Sequence, residues 1–363
     1  MSTARQLSWT LIDDTSTDLP AEVTYTAGET APDKWSIQLR TLHGGKREGV
    51  QVVEVHNGAM TLIIIPTRGM SLWKAYAKGD NCEPLELGWR SPVRGPVHPS
   101  FVPVHAPNGI GWLDGFDELL VRCGLENNGP PVIDEQGILQ LPLHGRIGNL
   151  PAHHVTATVD LDAQTINITG IVDETRFHFQ KLRLTACVTI PFGQTSFIIN
   201  DVISNLSTLP AESQLLYHFN VGEPLLDAGS TIEVNASQVL HQKLGINIPE
   251  DWATVPAPQA DRPEDVYYIS NNADENGYAS IRFLNSKKSQ GVRVTYRVDS
   301  LPCFSYWKNT PSSFDGYVVG LEPATGYPNP RWVEAEAGRI LKIPPGRAYS
   351  TEIMVDWLTK GSE

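Results

Sequence analysis

The sequence is poor in cysteine, and the few cysteines that it has stand far apart. Cys82, Cys123, Cys187 and Cys303 form no C-x-x-C pair within the 363-residue chain. A zinc site needs cysteines at short spacing, and a disulfide-stabilised scaffold needs them at high density. We therefore expect four reduced thiols and no metal site built on them.

The sequence also lacks a long apolar run and a secretion signal. Its longest run of aliphatic residues, 62–65, is far too short to span a bilayer. Residues 1–6 are polar and lead into no apolar segment with a cleavage pattern. These absences predict a cytoplasmic protein without a membrane partner.

Positive charge is scarce as well. The chain carries 28 Lys and Arg against 41 Asp and Glu, a formal net charge of −13, and its longest basic run is the pair Lys287-Lys288. Proteins that bind nucleic acid carry a basic stripe or patch that neutralises phosphates. A nucleic-acid partner is therefore not expected.

Apolar residues in alternation are the main pattern that the sequence does contain. Apolar side chains occupy every second position from 182 to 190 and again from 292 to 298. This period of two is typical of strands with one buried face. Shorter segments are also predicted as strands, namely 50–55, 61–65, 155–159, 166–171, 197–203, 214–219, 280–284, 317–321, 339–343 and 351–357.

Helical patterns are nearly missing. Residues 112–125 form the best helical candidate, although Gly115 and Gly124 allow only a short helix. Strands that follow one another without helices exclude a parallel βαβ sheet, so the predicted fold is all-β, a large antiparallel sandwich with few short helices. The Pro-rich stretch 249–263 is predicted to be a loop. We expect residues 1–363 to form a single domain, with 1–45 as an N-terminal extension packed on it.

His144 is the first of three titratable residues in an unusual local setting. It stands in the sequence LHGRIG, where two glycines allow an open loop that presents its imidazole and the Arg146 guanidinium to a ligand. A turn with a surface histidine is the alternative, and for a single sequence it is the more frequent outcome.

His218 is the second such residue and lies within the predicted strand 214–219. It is in phase with Leu216 and Asn220. A lone histidine in a strand usually belongs to a core in which its hydrogen bonds are satisfied. A face that carries both His and Asn differs from the other predicted faces, however, and favours a wet, ligand-binding surface.

Glu322 is the third, and it follows the strand-like segment 317–321 just before a turn rich in proline and glycine. A carboxyl group at a strand end beside aromatic residues can be partly desolvated, and this raises its pKa toward the range of a general base. A solvated turn residue is the alternative, which the spacing alone favours.

Further charged residues stand beside aromatic residues or glycine. Arg68 precedes Gly69 after an apolar strand, the segment 112–117 combines two aromatic residues with Asp117, and Lys308 follows Trp307. Aromatic rings can cover the C–H faces of sugars, and charged planar groups bind hydroxyls in pairs. A polar sugar pocket is one interpretation, and core aromatics with surface charges are the other. The sequence motifs of serine hydrolases, phosphate loops and zinc proteases are absent.

Three motifs in the order His, His, Glu resemble those of the aldose 1-epimerase (galactose mutarotase) superfamily. They are LHGR at 143–146, YHFN at 217–220 and LEP at 321–323 with PN at 328–329. The resemblance extends over roughly residues 50–357 and implies the β-supersandwich fold of that superfamily. In two places the chain departs from the usual pattern, with Arg146 in place of a second glycine and fewer residues between the second His and the following Asn.

The resemblance implies an isomerase that interconverts sugar anomers without a cofactor or a metal. His218 would be the general acid, Glu322 the general base and His144 a sugar-binding residue. Asp117 is the candidate for the superfamily's substrate-binding Asp, and Arg68, Arg146 and Lys308 are further candidate ligands of the sugar. Two alternatives stay open. One is a carbohydrate-binding or regulatory protein without catalysis, and the other is a sugar-phosphate mutarotase whose phosphate those three cations would bind.

Overall fold

The computed structural model describes residues 5–28, 34–78 and 84–359. These residues contain 24 strands and one short α-helix, α1 (Arg331–Glu336). In chain order the strands are β1 (Gln6–Asp13), β2 (Val23–Thr26), β3 (Ser36–Thr41), β4 (Gln51–His56), β5 (Met60–Ile65), β6 (Ser71–Lys78), β7 (Pro84–Leu87), β8 (Leu120–Leu125), β9 (Val132–Ile133), β10 (Leu139–Leu141), β11 (His154–Asp160), β12 (Thr165–Thr175), β13 (Lys181–Pro191), β14 (Ser196–Asn205), β15 (Ala211–Gly222), β16 (Thr231–Glu233), β17 (Ala236–His241), β18 (Asp265–Asn271), β19 (Tyr278–Leu284), β20 (Gln290–Arg297), β21 (Cys303–Asn309), β22 (Val318–Ala324), β23 (Leu341–Ile343) and β24 (Ala348–Thr359). Short 3-10 helices cover Gly45–Arg47, Pro66–Arg68, Pro99–Phe101, Gly111–Gly115, Ile147–Asn149 and Ser313–Asp315.

Most of these strands belong to two large sheets. The nine-stranded sheet has the order β1-β11-β12-β13-β14-β24-β20-β19-β16. The thirteen-stranded sheet follows the path β17-β18-β21-β22-β15-β8-β6-β5-β4-β3-β2, with β23 beside β15 and β7 beside β6. Neighbouring strands in both sheets run antiparallel, as in the pairs β13 with β14 and β15 with β22. The prediction of an all-β antiparallel sandwich is therefore confirmed.

The core lies between the two sheets because each contributes one apolar face. In β12, β13 and β14 every second residue is buried, which is the pattern that the alternating sequence predicts. Val188 and Ile199 of the nine-stranded sheet belong to the same apolar cluster as Leu215 and Phe219 of the other. Full burial of such a side chain contributes about 1.5–3 kcal/mol each.

A buried polar network also joins the sheets. The Arg122 guanidinium of β8 donates two hydrogen bonds to the Asp201 carboxylate of β14, at 2.5 and 2.9 Å. The Tyr217 hydroxyl of β15 donates to the same carboxylate at 2.8 Å and lies 2.5 Å from the Thr351 hydroxyl of β24. Each charge thus has a partner where water is excluded, and the network fixes the inner faces of β8 and β15.

The helix predicted over 112–125 is wrong. Its first part is the 3-10 helix Gly111–Gly115, and its last part is strand β8, in which all six residues are buried. A strand in the middle of a sheet with both faces covered shows no alternation. Arg122, although charged, is buried in β8 in the ion pair with Asp201, so its charge does not mark an exposed position.

The N-terminal strands belong to both sheets, since β1 pairs with β11 while β3 pairs with β4. The expected arrangement of a single domain with 1–45 as an extension stays a prediction. Cys123, Cys187 and Cys303 are free, and Cys82 lies outside the described residues. Within the described ranges, no helix is long and apolar enough to cross a membrane.

Candidate active site

Strand alternation separates the side chains of β15 into two sets. Tyr217 and Phe219 pack in the core between the sheets, whereas Leu216 belongs to a second apolar cluster on the outer face of the thirteen-stranded sheet. His218 and Asn220 are in phase with Leu216 and therefore face outward too. The combination of His and Asn on one strand face, which was unusual in the sequence, thus lies on the outer face of β15.

The register of the sheet places the catalytic candidates side by side. Leu216 pairs with Ala324 and Phe219 with Leu321, so His218 lies opposite Glu322. The strand β22 extends to Ala324, two residues beyond Glu322. Glu322 is therefore not at a strand end, as the sequence suggested, but inside a central strand, where it is only 3% exposed.

His218 and Glu322 form a close pair in a place with little water. The His218 Nε2 lies 3.2 Å from the Glu322 Oε1, and His218 is 5% exposed. The two groups are not oriented for a hydrogen bond at this contact. No described group donates a hydrogen bond to the Glu322 Oε1. The carboxyl group lies above Gly320, where an added Cβ would come within 2.4 Å of Oε1. Only glycine at position 320 leaves room for the carboxyl group in this position.

Asn220 fixes the tautomer of His218. The Asn220 Nδ2 donates to the carbonyl oxygens of Glu118 and His218, at 2.9 and 3.1 Å. Its Oδ1 is therefore the atom that lies 2.7 Å from the His218 Nδ1, and it accepts a hydrogen bond from it. With the proton on Nδ1, the lone pair of a neutral His218 is on Nε2, toward Glu322.

His144 presents a second imidazole to the same place from a loop. Its backbone has a φ of 56°, a left-handed conformation that is uncommon for residues other than glycine. Its Nδ1 lies 2.8 Å from the carbonyl oxygen of Asn128 and donates to it. The ring lies 4.7 Å from the Trp112 ring and 5.6 Å from the His218 ring, centroid to centroid. The Nε2 of His144 is thus left as a hydrogen-bond acceptor.

His144, His218 and Glu322 all line one open cavity of about 490 Å³, within the size range of ligand sites. Rings surround the pair, because Phe116 and Trp307 lie 5.0 and 5.2 Å from the His218 ring. The remaining lining residues are Trp112, Leu113, Pro130, Leu143, Gln242, Glu264, Val266, Pro328 and Pro330. Aromatic walls with a few convergent polar groups are suited to the apolar and hydroxylated sides of a sugar.

Burial shifts the pKa of all three titratable groups away from the charged form. It lowers the pKa of His218 to about 3, with His144 as a further cause, and the pKa of His144 to about 4. It raises the pKa of Glu322 well above the usual value, and the nearby Glu264 carboxylate raises it further. Burial thus disfavours the charged form of both imidazoles and of the Glu322 carboxyl group.

Arg68 and Lys308 do not reach this cavity. Arg68 is fully buried and donates to the Glu118 carboxylate at 2.5 Å and to the Asn149 amide oxygen at 2.7 Å. Lys308 alternates with Trp307 along β21 and therefore points to the inner face, where it donates to the carbonyl oxygen of Trp252 at 2.8 Å. Both cations satisfy buried groups of the fold.

Arg146 and Asp117 also lie apart from the cavity lining. Arg146 forms ion pairs with Glu126 at 2.7 Å and with Glu174 at 3.5 Å. The Asp117 carboxyl accepts a hydrogen bond from the Trp73 indole at 2.8 Å, and burial raises its pKa to about 7. The structure thus offers no support for these residues as ligands of the same substrate.

Two polar residues of the cavity had no signal in the sequence. Gln242 follows β17, and Glu264 precedes β18, just after the loop 249–263. The exposed Glu264 carboxylate accepts a hydrogen bond from the Trp307 indole at 2.8 Å. Only the pairing of β18 with β21 brings it beside this strand. No group of three or more His, Cys, Asp or Glu within 5–28, 34–78 and 84–359 is arranged to hold a metal ion.

Comparisons with known proteins agree with this fold. The family model described as "Domain of unknown function (DUF4432)" matches residues 47–356. A crystal structure of a "putative aldose 1-epimerase" from Klebsiella pneumoniae is 30% identical, covers 98% of this chain and 92% of its own, and has a TM-score of 0.91. No curated protein matches the sequence.

More distant structures share the fold alone. A galactose mutarotase-like protein from Clostridium acetobutylicum is 14% identical, with a TM-score of 0.59 over 89% of this chain and 98% of its own. A further "putative aldose 1-epimerase" from Escherichia coli K12 is 12% identical, with a TM-score of 0.57 over 86% of this chain and 100% of its own.

Proposed function

This chain belongs to the DUF4432 family within the aldose 1-epimerase (galactose mutarotase-like) superfamily, and we propose that it interconverts the anomers of a free aldose in the cytoplasm. The observation that carries the proposal is the His218–Glu322 pair, whose reactive atoms are 3.2 Å apart in an aromatic cavity. One proton that can move, a donor and an acceptor are what anomer exchange requires. The family name states no activity, so the proposed activity rests on the chemistry of the site.

The proposed reaction opens and recloses the sugar ring. One member of the pair protonates the ring oxygen while the other removes the proton of the C1 hydroxyl. The bond between C1 and the ring oxygen breaks, and the C1 carbonyl forms. After rotation about C1–C2 the two protons return, the ring bond forms again, and both groups regain their original protonation states. Such acid–base assistance contributes about 10²–10⁴-fold in rate.

The other polar groups of the cavity would hold the sugar. The Nε2 of His144 would accept a hydrogen bond from a sugar hydroxyl, since its Nδ1 is bound to the Asn128 carbonyl. Glu264 would accept another, because the Trp307 indole occupies only one of its oxygens. In this proposal Glu264 takes the substrate-binding part that the sequence assigned to Asp117.

Anomer exchange over a panel of aldoses tests the proposal directly. Polarimetry and NMR exchange spectroscopy should show catalysed interconversion of at least one free sugar, with saturation. Saturable binding without acceleration of any sugar would instead favour the alternative of a carbohydrate-binding protein on the same fold.

Phosphorylated sugars are expected to be poor substrates. No Lys or Arg is among the described residues that line the cavity, and the Glu264 carboxylate is at its mouth. A phosphate dianion would therefore be desolvated beside a like charge. We expect kcat/KM for a 6-phosphorylated hexose to be lower than for the free hexose by about tenfold or more, a difference of about 1.4 kcal/mol or more. Equal or better turnover of the phosphate ester would support the sugar-phosphate alternative.

His144→Asn is expected to weaken binding more than catalysis. Asparagine tolerates the left-handed backbone that His144 adopts, with its φ of 56°, so the loop should keep its shape. Without the imidazole acceptor, KM should rise by about tenfold while kcat falls less, as when an interaction common to ground state and transition state is lost. A loss in kcat as large as that of a Glu322 variant would show that His144 takes part in proton transfer.

A further inference from the structure

The loop that carries His144 is attached to the end of β8 through its backbone. The Gly124 N–H donates to the carbonyl oxygen of His144 at 3.0 Å, and the Arg146 N–H donates to the carbonyl oxygen of Gly124 at 2.9 Å. The two segments are so close that a Cβ at Gly145 would come within 2.2 Å of the same Gly124 oxygen. The position of His144 therefore depends on how firmly the loop is held against β8.

The Arg146 side chain connects this loop to both sheets. Its Nη2 donates to the Glu126 Oε2 at 2.7 Å and lies 3.5 Å from the Glu174 Oε1. Glu126 directly follows β8 of the thirteen-stranded sheet, whereas Glu174 belongs to β12 of the nine-stranded sheet. The side chains of Arg146, Glu126 and Glu174 are 16, 14 and 0% exposed. One guanidinium thus pairs with two carboxylates in a place where little water can replace it.

Arg146 supplies the positive charge that balances Glu174. The Glu174 Oε2 accepts a hydrogen bond from the Leu125 N–H at 3.1 Å, but the Glu174 Oε1 accepts none from any described group. Without Arg146, this buried carboxylate would be left uncompensated beside a second carboxylate, that of Glu126. Removing one partner of a buried ion pair is strongly destabilising for that reason. We therefore expect the loop to move away from β8 when Arg146 is replaced, so that water reaches the two carboxylates.

We propose that Arg146 is a positioning residue that holds the His144 loop in place for sugar binding. This inference rests on the function proposed above, in which the Nε2 of His144 accepts a hydrogen bond from a sugar hydroxyl. Arg146 is not among the residues that line the cavity, so it acts through His144. A shift of the loop would move that acceptor, whereas His218 and Glu322 lie on β15 and β22 and would keep their places.

Arg146→Met tests the proposal, because methionine keeps much of the length of the side chain and removes its charge. KM for the sugar should rise by about tenfold while kcat falls by less than about threefold, as when an interaction common to ground state and transition state is lost. Arg146→Lys keeps a positive charge near both carboxylates, so its KM should stay within about threefold of the wild type. An unchanged KM in Arg146→Met would overturn the proposal.

A double-mutant cycle shows whether the effect passes through His144. In the His144→Asn background, Arg146→Met should raise KM by less than about threefold, since the acceptor is already lost. The same factor in both backgrounds would contradict a positioning role. If Arg146→Met alone does not fold, Arg146→Met/Glu174→Gln takes its place in the cycle, because it leaves no fully buried charge uncompensated. The KM of this double variant should lie between those of wild type and His144→Asn.

NMR of the nitrogen-15 histidine-labelled protein without sugar measures the position of His144 independently of activity. The N–H proton on its Nδ1 is hydrogen bonded to the Asn128 carbonyl, at 2.8 Å, and should give a signal in wild type and in Arg146→Lys. In Arg146→Met that signal should be lost, because a displaced ring exchanges the proton with water. The His144→Asn variant identifies the signal. Its persistence in Arg146→Met would show that Arg146 does not position the ring.

The failure of this proposal and that of the proposed function give different results. If the signal of His144 is lost in Arg146→Met but no sugar is turned over by the wild type, the positioning of His144 stands and the epimerase activity fails. If sugars are turned over but both the signal and KM are unchanged in Arg146→Met, the activity stands and Arg146 has no part in positioning His144.

Discussion

In the Glu322→Gln variant, kcat for anomer exchange is expected to fall by about 10²-fold or more, while KM stays within about tenfold of the wild type. Glutamine has nearly the size of glutamate and can still hydrogen bond to a sugar, but it can neither give up nor take the movable proton. The loss therefore falls on the transition state, and binding is largely kept. Progress curves by polarimetry, with ligand binding measured by calorimetry, separate the two.

The stability of the same variant checks that the loss is chemical and not a folding defect. Burial raises the pKa of Glu322 in the folded protein, whereas in the unfolded chain the group ionises near pH 4.3. Folding therefore takes up a proton above about pH 4.3, and this group makes the wild type less stable as the pH rises. Glutamine has no such dependence, so Glu322→Gln should gain stability relative to wild type as the pH rises above about 4.3. Full anomer exchange in the variant would show that Glu322 does not carry the proton.

The strands of the nine-stranded sheet were the most predictable part of the fold. Segments such as 182–190 alternate cleanly because one face packs on the core while the other faces solvent. The thirteen-stranded sheet was harder to predict, since its middle strands are covered on both faces. All seven residues of β22 and all six of β8 are buried, so a period of two is not visible there.

The catalytic candidates could be found from the sequence, but their surroundings could not. Local sequence indicates three candidate residues, because a titratable residue stands near glycine, asparagine or proline at His144, His218 and Glu322. These local patterns can be recognised without knowledge of the fold. The pairing of His218 with Glu322 depends on the strand register between β15 and β22, which no local pattern encodes. Glu264 reaches the cavity in the same way, through the pairing of β18 with β21.

The cationic side chains that were predicted as sugar ligands do not line the cavity, for a physical reason that applies to large sandwiches in general. Arg68 stands beside glycine in a polar segment, but its fully buried guanidinium satisfies Glu118 and the carbonyl oxygens of Val97 and Gly115. A loop folded over a sheet buries backbone groups, and each needs a partner. The guanidinium has five N–H donors and can satisfy several carbonyls at once, so Arg68 supports the loop without lining the cavity.

Gly320→Ala is expected to lower kcat by about 10²-fold without a change in the reacting groups themselves. A Cβ at position 320 would come within 2.4 Å of the Glu322 Oε1, much closer than real Cβ contacts. That oxygen is at the end of a flexible side chain, so the side chain should turn away while the strand keeps its place. A displacement of about 1 Å can cost about 10² in rate. We expect the free energy of unfolding to change by about 1 kcal/mol or less, since Gly to Ala in a strand otherwise favours folding.

The Gly320→Ala effect should vanish once the carboxyl group has lost its function. In the Glu322→Gln background, adding Gly320→Ala should lower kcat by less than about threefold, because both changes act on the same proton transfer. The cycle of four proteins thus measures the coupling between the two positions directly. If Gly320→Ala lowers kcat by the same factor in both backgrounds, its effect does not pass through Glu322. The space above Gly320 would then have some other part in catalysis, such as contact with the sugar. A strong coupling, by contrast, would show that the absence of a side chain at Gly320 determines where the Glu322 carboxyl group lies.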